Sequence, residues 1–228
     1  MKYRNEWKYY LKETDFTLIE NKLNKVLSLD IHANASNKYY VRSLYFDDYT
    51  NSCLNDNDAG LNKRYKWRIR YYNNDLTYIC LERKEKLNGL CRKFDTKLSI
   101  EQYKFIINND ISTLFWRSDD RLIKEFCLDI LNKRFKPKVI IDYERTAYVE
   151  PITNVRITFD RNISASLEID KFIVNGYTKY PLLHVDKHIL EVKFDDILPS
   201  YINQAVHINK LQQTTFSKYY LSRKLLGR

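Results

Sequence analysis

The sequence predicts an α+β protein built around a closed antiparallel β-barrel with a charged interior and flanking helices. Several segments alternate charged and apolar residues, which is the pattern of β-strands with two unlike faces. Charges share one face in the pairs Glu6/Lys8, Arg68/Arg70, Glu82/Lys84 and Glu191/Lys193. An open sheet with a solvated charged face and a helical layer on its other side is the alternative. Closing the sheet instead makes the charged faces the lining of a central tunnel.

The predicted elements follow one another without a repeat or a linker, so we expect one domain over residues 1–228 with a helical finish. Strands are predicted near 2–11, 39–47, 64–71, 76–86, 91–97, 138–149, 154–161, 164–174 and 188–195. A helix capped by Thr14 or Asp15 follows the first strand, and further helices are predicted near 99–107, 118–134, 200–212 and 217–226. Asn88-Gly89 predicts a hairpin turn, and Ser99 with Gln102 resembles a capping box.

The chain is basic, with 39 Lys and Arg against 29 Asp and Glu and a formal charge of +10. Such an excess indicates a polyanionic partner, or serves solubility alone. Because the basic residues alternate with apolar ones and form no long runs, we expect no nucleic-acid arm and no membrane patch. The charged N-terminal segment, the lack of a long apolar run and four Cys without a CxxC pair predict a cytoplasmic protein without a membrane segment.

Many cations in a narrow tunnel are costly to bury unless an anion compensates them. Carboxylates among them are either structural counter-ions or hard oxygen ligands for Mg²⁺ or Mn²⁺, which can bridge to phosphate oxygens. A mostly cationic lining with a few glutamates therefore suits a metal–triphosphate ligand. The sequence contains no Ser/His/Asp set and no Gly-rich loop, so covalent catalysis and P-loop chemistry have no support.

A series of short motifs runs in order from residue 4 to residue 223. The motifs read RNEWKYYL, SLYFDD, KWRIRYY, LERKEK, YERTAY, VRITFD, LEVKF, LPSYI and FSKYYLSR. Together they resemble the VTC domain, the polyphosphate polymerase domain of the triphosphate tunnel metalloenzyme (CYTH-like) superfamily. The resemblance implies an eight-stranded antiparallel tunnel that binds a nucleotide or inorganic triphosphate together with a divalent metal.

The resemblance also implies roles for individual residues. The catalytic residues it implies are Arg68, Arg70, Lys84 and Arg156; the substrate-binding residues are Lys8, Lys93, Arg145, Lys193, Ser217 and Lys218; and the metal ligands are Glu191, Glu6 and Glu82. Arg92 takes the place of Lys93 if the hairpin shifts by one residue. Arg4 stands where the superfamily's ExExK motif has its first glutamate, which makes Glu191 a stronger candidate ligand than Glu6.

The activity implied by the resemblance is metal-dependent phosphoryl transfer on triphosphates, with polyphosphate synthesis from ATP as its form and Mn²⁺ or Mg²⁺ as cofactor. Two alternatives stay open, namely hydrolysis of inorganic or nucleoside triphosphate and a non-catalytic module that binds polyphosphate. The implied partners are ATP, tripolyphosphate or polyphosphate, and no nucleic acid is expected.

Arg145 has the same parity as Ile141 and Tyr143, which interrupts a simple alternation and suggests a β-bulge.

Overall fold

The computed structural model describes residues 2–30, 37–206 and 211–227, which form an α+β fold. The strands are β1 Asn5–Lys12, β2 Ser28–Leu29, β3 Tyr39–Asp47, β4 Lys63–Tyr72, β5 Asp75–Leu87, β6 Leu90–Leu98, β7 Lys136–Glu150, β8 Val155–Ser166, β9 Tyr180–Pro181 and β10 Lys187–Phe194. The helices are α1 Glu13–Leu23, α2 Ser52–Asp58, α3 Ile100–Ile107, α4 Ile111–Arg117, α5 Arg121–Lys133, α6 Ser200–Val206 and α7 Lys218–Leu226. A 3₁₀ turn spans Ile169–Lys171.

The main path of the sheet runs β1-β10-β8-β7-β3-β4-β5-β6, while β2 pairs with β7 and β9 pairs with β8. All of these pairs are antiparallel. The edge strand β1 approaches β6 through the backbone of Arg4 and Cys91, whose N–H groups donate to each other's carbonyl oxygens at 2.9 and 2.8 Å. One such bridge is not a continuous ladder. The sheet therefore curls until its edges touch, and the predicted closed eight-stranded barrel is not confirmed.

The outer face of the curled sheet is apolar and carries the helices. The Phe126 ring of α5 lies 5.0 Å from the rings of both Trp67 and Phe46. A second apolar cluster packs α1 and α6 against β8 and β10, with Phe16 and Ile202 fully buried in it. Because burial of apolar area is the main favourable term in folding, these outer contacts fix the charged faces of the strands toward the interior.

Turn and cap chemistry agrees with several sequence predictions. Asn88 and Gly89 both have positive φ, 48° and 85°, as the two-residue hairpin turn between β5 and β6 requires. The Ser99 side chain accepts from the Gln102 backbone N–H, and the Gln102 side chain accepts from the Ser99 backbone N–H, which completes the capping box. Ser217 caps α7 by accepting from the Tyr220 N–H.

Other predicted boundaries are wrong. The strands predicted near 154–161 and 164–174 are one strand, β8, which continues past Asn162 because that residue takes positive φ in a bulge, and a 3₁₀ turn follows it. The helix predicted near 118–134 begins at Arg121 with Asp120 as its N-cap, and the short helices α2 and α4 were not predicted.

Two predicted helices also begin or end elsewhere. Helix α1 begins after Lys12, ahead of the predicted caps Thr14 and Asp15, because β1 leads directly into it. Helix α6 is described over Ser200–Val206; residues 207–210 of the helix predicted near 200–212 lie outside the described residues, and residues 211–212 are not helical. Among the described residues, every helix is too short or too polar to span a lipid bilayer.

Phe126→Ala should lower the free energy of unfolding by about 3–5 kcal/mol, because it opens a cavity between α5 and the sheet. Trp116→Ala on the neighbouring helix α4 is the matched control. The Trp116 side chain is 81% exposed, so we expect a change within about 0.5 kcal/mol. Urea unfolding of the two variants measures the difference, and equal losses would contradict the packing of α5 on the sheet.

Candidate active site

The inner face of the curled sheet encloses a cavity of about 610 Å³. Strands β1, β4–β8 and β10 contribute to its lining, together with Tyr39 and Tyr45 of β3, Asn57 of α2 and residues 213–219. The lining includes every site residue that the sequence predicts, namely Glu6, Lys8, Arg68, Arg70, Glu82, Lys84, Lys93, Arg145, Arg156, Glu191, Lys193, Ser217 and Lys218. The fold thus brings together side chains from both ends of the sequence, and their individual roles stay predictions.

The cavity is strongly cationic. Fifteen Lys and Arg and five Asp and Glu line it, which leaves an excess of ten positive charges. The formal charge of the whole chain is also +10. The charges outside the lining therefore balance in number, and two of them, Asp160 and Asp30, form ion pairs with lining cations.

Two glutamates lie within a cluster of lysines on β1, β5 and β10. The β1–β10 register places Glu6 opposite Lys193 and Lys8 opposite Glu191, so opposite charges alternate across the two strands. Lys8 Nζ lies 3.0 Å from Glu6 Oε1 and 3.7 Å from Glu191 Oε2, and Lys193 Nζ lies 3.0 Å from Glu191 Oε1. Lys84 Nζ lies 2.6 Å from Glu6 Oε2.

The lysine cluster keeps both glutamates charged. Burial raises the pKa of each carboxyl, and the nearby charge of Glu191 also raises the pKa of Glu6. The surrounding Lys8, Lys84 and Lys193 outweigh burial, so the pKa of Glu6 and that of Glu191 both fall well below their usual range. Two carboxylates on neighbouring strands therefore face the cavity with full negative charge.

Glu82 has a separate set of partners. Arg68 Nε donates to Glu82 Oε2 at 2.5 Å, and Lys93 Nζ donates to Oε1 at 3.2 Å. Arg70 Nη1 lies 3.8 Å from Oε2. Burial raises the pKa of Glu82, but these cations lower it well below its usual range. Both Glu82 oxygens are engaged by cations, as those of Glu6 and Glu191 are, and its role as a metal ligand stays a prediction.

The hairpin register selects Lys93 over Arg92 for the inner face. Lys93 pairs directly with Lys84 and reaches Glu82, whereas the Arg92 guanidinium donates to Glu85 at 2.9 Å. The Arg92 guanidinium also lies 4.4 Å from the centre of the Tyr3 ring. The predicted register holds, and the one-residue shift that would have favoured Arg92 is absent from this hairpin.

Asp160 on β8 joins Arg145 to Lys218. Arg145 donates from Nε and Nη2 to the two Asp160 oxygens at 2.6 and 2.7 Å, and Lys218 Nζ donates to Oδ2. Burial raises the pKa of Asp160, but the two cations lower it, so this fully buried side chain stays charged. The Lys218 ammonium also lies 4.6 Å from the centre of the Tyr143 ring.

Tyr143 and Arg145 lie on the same face of β7, and both side chains line the cavity. The bulge lies on the partner strand β8, where Asp142 pairs with Ser164 but Glu144 pairs with Arg161. The inner face of β7 thus mixes aromatic, aliphatic and charged side chains. A search for alternating charged and apolar residues therefore could not identify this face of β7.

Tyrosine hydroxyls contact three of the cavity arginines. The pairs are Arg68 Nη1 to Tyr45 at 2.8 Å, Arg70 Nη2 to Tyr143 at 2.9 Å and Arg156 Nη2 to Tyr39 at 3.0 Å. A neutral hydroxyl orients a guanidinium without cancelling its charge. Arg156 in addition pairs with Asp30 at 2.6 Å.

Sequence reasoning missed several residues of the site, among them Lys66, Tyr45, Tyr143 and Asp160. Lys66 shares the parity of Arg68, so the alternation of β4 could have identified it. Tyr45, Tyr143 and Asp160 carried no such signal, because their places beside arginines depend on pairing between strands that are distant in sequence.

A divalent cation can be accommodated by Glu6 and Glu191. Across residues 2–30, 37–206 and 211–227, no three His, Cys, Asp or Glu side chains form a ready-made metal site. Mg²⁺ often binds proteins through one or two carboxylates, with substrate phosphates and water as the remaining ligands. The two charged carboxylates of the lysine cluster fit that requirement.

Comparison with known proteins agrees with this arrangement. The sequence profile of the VTC domain matches residues 3–226. The chain belongs to the VTC domain family. The family resemblance seen in the motifs is therefore confirmed over nearly the whole chain. A search of curated proteins found no match.

Solved structures are similar to this VTC domain at low sequence identity. A Hippeastrum protein described as an adenylyl cyclase with a dominant triphosphatase activity is 13% identical, with a TM-score of 0.58 over 98% of this chain and 96% of that chain. A protein from Pyrococcus horikoshii is 15% identical, with a TM-score of 0.47 over 99% of this chain and 100% of that chain. The first similarity shows a common fold.

Asp160→Asn should lower the free energy of unfolding by about 3–5 kcal/mol, because it leaves two buried cations without their counter-ion. Asp195→Asn is the control. It breaks the partly exposed pair with Arg4 at the rim, and we expect a loss of about 0–1 kcal/mol. Tripolyphosphate should restore part of the first loss by supplying negative charge. Thermal unfolding at low salt tests this, and a lack of rescue would show that no anion reaches Arg145 and Lys218.

Tyr45 should ionise near pH 8. Burial raises the pKa of Tyr45, but Arg68 and Arg70 outweigh it and lower the pKa to about 8. Tyrosinate absorbance should therefore show a titration near pH 8, and Tyr45→Phe should remove it. Tyr143→Phe is the control and should leave this titration in place, because the pKa of Tyr143 is raised.

The same shift links Tyr45 to stability. Because its folded pKa lies below the unfolded value of about 10, ionised Tyr45 adds stability that is fully present above about pH 10 and is lost as the pH falls through about 8. As the pH rises from about 8 to about 10, the free energy of unfolding of wild type should therefore increase relative to that of Tyr45→Phe. A constant difference across the window would contradict the assigned pKa.

Proposed function

We propose that this VTC domain catalyses metal-dependent phosphoryl transfer on triphosphates and that its reaction is polyphosphate synthesis from ATP. The cavity supports the proposal because it collects an excess of ten positive charges beside two charged carboxylates. A linear phosphate anion needs many cations along its length, and a divalent cation needs hard oxygen ligands. Membership of the VTC family supports the polymerase form of the reaction.

Phosphoryl transfer requires in-line positioning and neutralisation of charge on the transferring group. Arg68 and Arg70 provide planar guanidinium groups that can each donate two hydrogen bonds to a phosphate. Tyr45 and Tyr143 hold these groups at 2.8 and 2.9 Å. The pair is thus oriented before substrate enters, which lowers the reorganisation that the reaction requires.

Glu6 and Glu191 would hold the divalent cation, which when bound would neutralise charge on the phosphate oxygens. Lys8, Lys84 and Lys193 surround the two carboxylates and would donate to phosphate oxygens beside them. Arg145 and Lys218, both fixed on Asp160, supply a further cationic wall. In this proposal Arg156 binds phosphate near the Asp30 side of the cavity.

The nucleophile in this scheme is not a side chain. A terminal oxygen of the growing polyphosphate attacks the γ-phosphorus of ATP, the bond between the γ-phosphorus and the bridging oxygen breaks, and ADP leaves with that oxygen. In hydrolysis a water molecule replaces the polyphosphate and releases free phosphate. The triphosphatase activity of the Hippeastrum protein, which shares the fold, makes hydrolysis the second candidate.

Incubation of the purified protein with ATP and Mn²⁺, with Mg²⁺ in parallel, distinguishes these reactions. Polyphosphate synthesis predicts a polymer resolved on a gel and one ADP for each phosphate incorporated. Free phosphate from ATP or tripolyphosphate without a polymer would replace the polymerase by the hydrolase. Binding of polyphosphate without any turnover would identify the non-catalytic module.

Glu191→Gln should lower kcat/KM by about 10²-fold, because the amide keeps the shape of the side chain but loses the charge that would hold a metal. Tripolyphosphate binding without metal should be retained or tightened, since the cavity gains net positive charge. Glu85→Gln is the control, because Glu85 is a glutamate of the rim that pairs with Arg92 and Arg83. Wild-type turnover in Glu191→Gln would make Glu191 only a partner of Lys193.

A further inference from the structure

Three cations of the cavity lining differ from the rest. Arg64, Lys66 and Lys86 form no ion pair among the described residues, whereas the other lining Lys and Arg side chains each have a carboxylate partner. Asp56 on α2 interacts with Arg64 and Lys66 only through space. These three side chains therefore carry positive charge that no direct ion pair among the described residues offsets.

The three cations are neighbours on the inner face of β4 and β5. Arg64 pairs directly with Lys86, and Lys66 pairs directly with Lys84. Like charges directly opposite each other on antiparallel strands are destabilising. An arrangement of this kind carries a cost that a bound anion would remove.

Lys66 shows the uncompensated charge most clearly. Its ammonium donates to two neutral oxygens, Asn57 Oδ1 at 2.8 Å and Ser217 Oγ at 3.3 Å. Burial lowers the pKa of Lys66 to about 8, and burial also lowers the pKa of Lys86. These shifts are the response of an ammonium group that lacks an anion.

Distance along β4 separates this group from the arginines assigned to the reaction. Arg64 and Lys66 lie four and two residues before Arg68 on the same face of the strand. At about 3.4 Å per residue, the backbone positions of Arg64 and Arg68 lie about 14 Å apart along β4. A short anion held by Arg68 and Arg70 therefore leaves Arg64 and Lys86 for another part of a longer ligand.

The geometry points to Arg64, Lys66 and Lys86 as a second anion subsite, which binds the distal phosphates of a linear polyphosphate whose reacting end lies at Arg68 and Arg70. The identity of this ligand rests on the proposed function. The subsite adds affinity for long chains and little affinity for tripolyphosphate. It thereby gives the cavity a preference for chain length that the paired cations alone do not provide.

Isothermal titration calorimetry at fixed ionic strength tests the subsite by binding and not by turnover. Wild type and the variant Lys66→Gln/Lys86→Gln are titrated with tripolyphosphate and with a polyphosphate of defined, several-fold greater length. Lys22→Gln/Lys25→Gln is the matched control, since it removes the same charge from exposed positions in α1 and in the turn that follows it, both outside the cavity.

Wild type and the control should bind the longer chain at least about tenfold more tightly than tripolyphosphate. The Lys66/Lys86 variant should lose most of that ratio and keep its affinity for tripolyphosphate, which also shows that it is folded. An unchanged ratio in this variant would overturn the subsite. If the variant fails to fold, Arg64→Gln alone, with the same two ligands, gives the same test with a smaller expected loss.

Two further outcomes separate this inference from the function it rests on. Wild type that does not bind tripolyphosphate would contradict the proposed function itself. Tripolyphosphate binding without a gain from the longer chain would overturn the subsite alone. A single-stranded oligodeoxythymidylate with the same number of phosphates serves as a third ligand, and binding as tight as that of the long polyphosphate would show a nucleic-acid site instead.

Discussion

The concentration of cationic side chains around one cavity is the constraint on which the rest of this structure depends. An excess of ten cations around a space of about 610 Å³ repels itself strongly. The fold tolerates it because Glu6, Glu82, Asp160 and Glu191 are buried among the cations and stay charged. Each of these carboxylates holds at least two cations, so few negative charges fix many positive ones and leave a large net field.

The reversed polarity of the sheet follows from that constraint. Since the inner face is charged, the apolar faces of the strands must be buried on the outside, and the helices α1, α5 and α6 supply the cover. Within the described part of the chain, the backbone joins the two sheet edges only at Arg4 and Cys91, but the ion pair between Lys84 and Glu6 links β5 to β1 across the same opening. Electrostatic contacts thus continue the wall where the hydrogen-bond ladder stops.

The parts of this fold that depend on local patterns could be predicted from the sequence. Strict alternation identified β1, β4, β5 and β10, and it placed their charges on one face, where the structure has them. Local turn chemistry likewise identified the hairpin at Asn88-Gly89 and the cap at Ser99. Features of this kind depend on residues that are near in sequence.

Features that depend on pairing between distant segments could not be predicted. Asp160 becomes the counter-ion of Arg145 and Lys218 only because β7 pairs with β8 and α7 packs against them. The sequence predicted two strands around Asn162, whereas the structure has one strand, β8, that continues through a bulge where Asn162 takes positive φ. Closure of the sheet is a sum over all strand twists and tilts, so the pattern of a single strand does not determine it.

Tyrosine and carboxylate partners divide the arginines of the cavity by the charge that they leave available. Asp160 binds Arg145 through both of its oxygens and so cancels much of its charge, whereas Tyr143 holds Arg70 through a neutral hydroxyl and cancels none. Arg70 shares Glu82 only at 3.8 Å, so it keeps most of its field. A bound phosphate would gain most from cations that are both oriented and uncompensated. By that criterion Arg70 contributes more to the phosphate-binding field than Arg145, although both line the same cavity, and Arg145 contributes more to the stability of the wall.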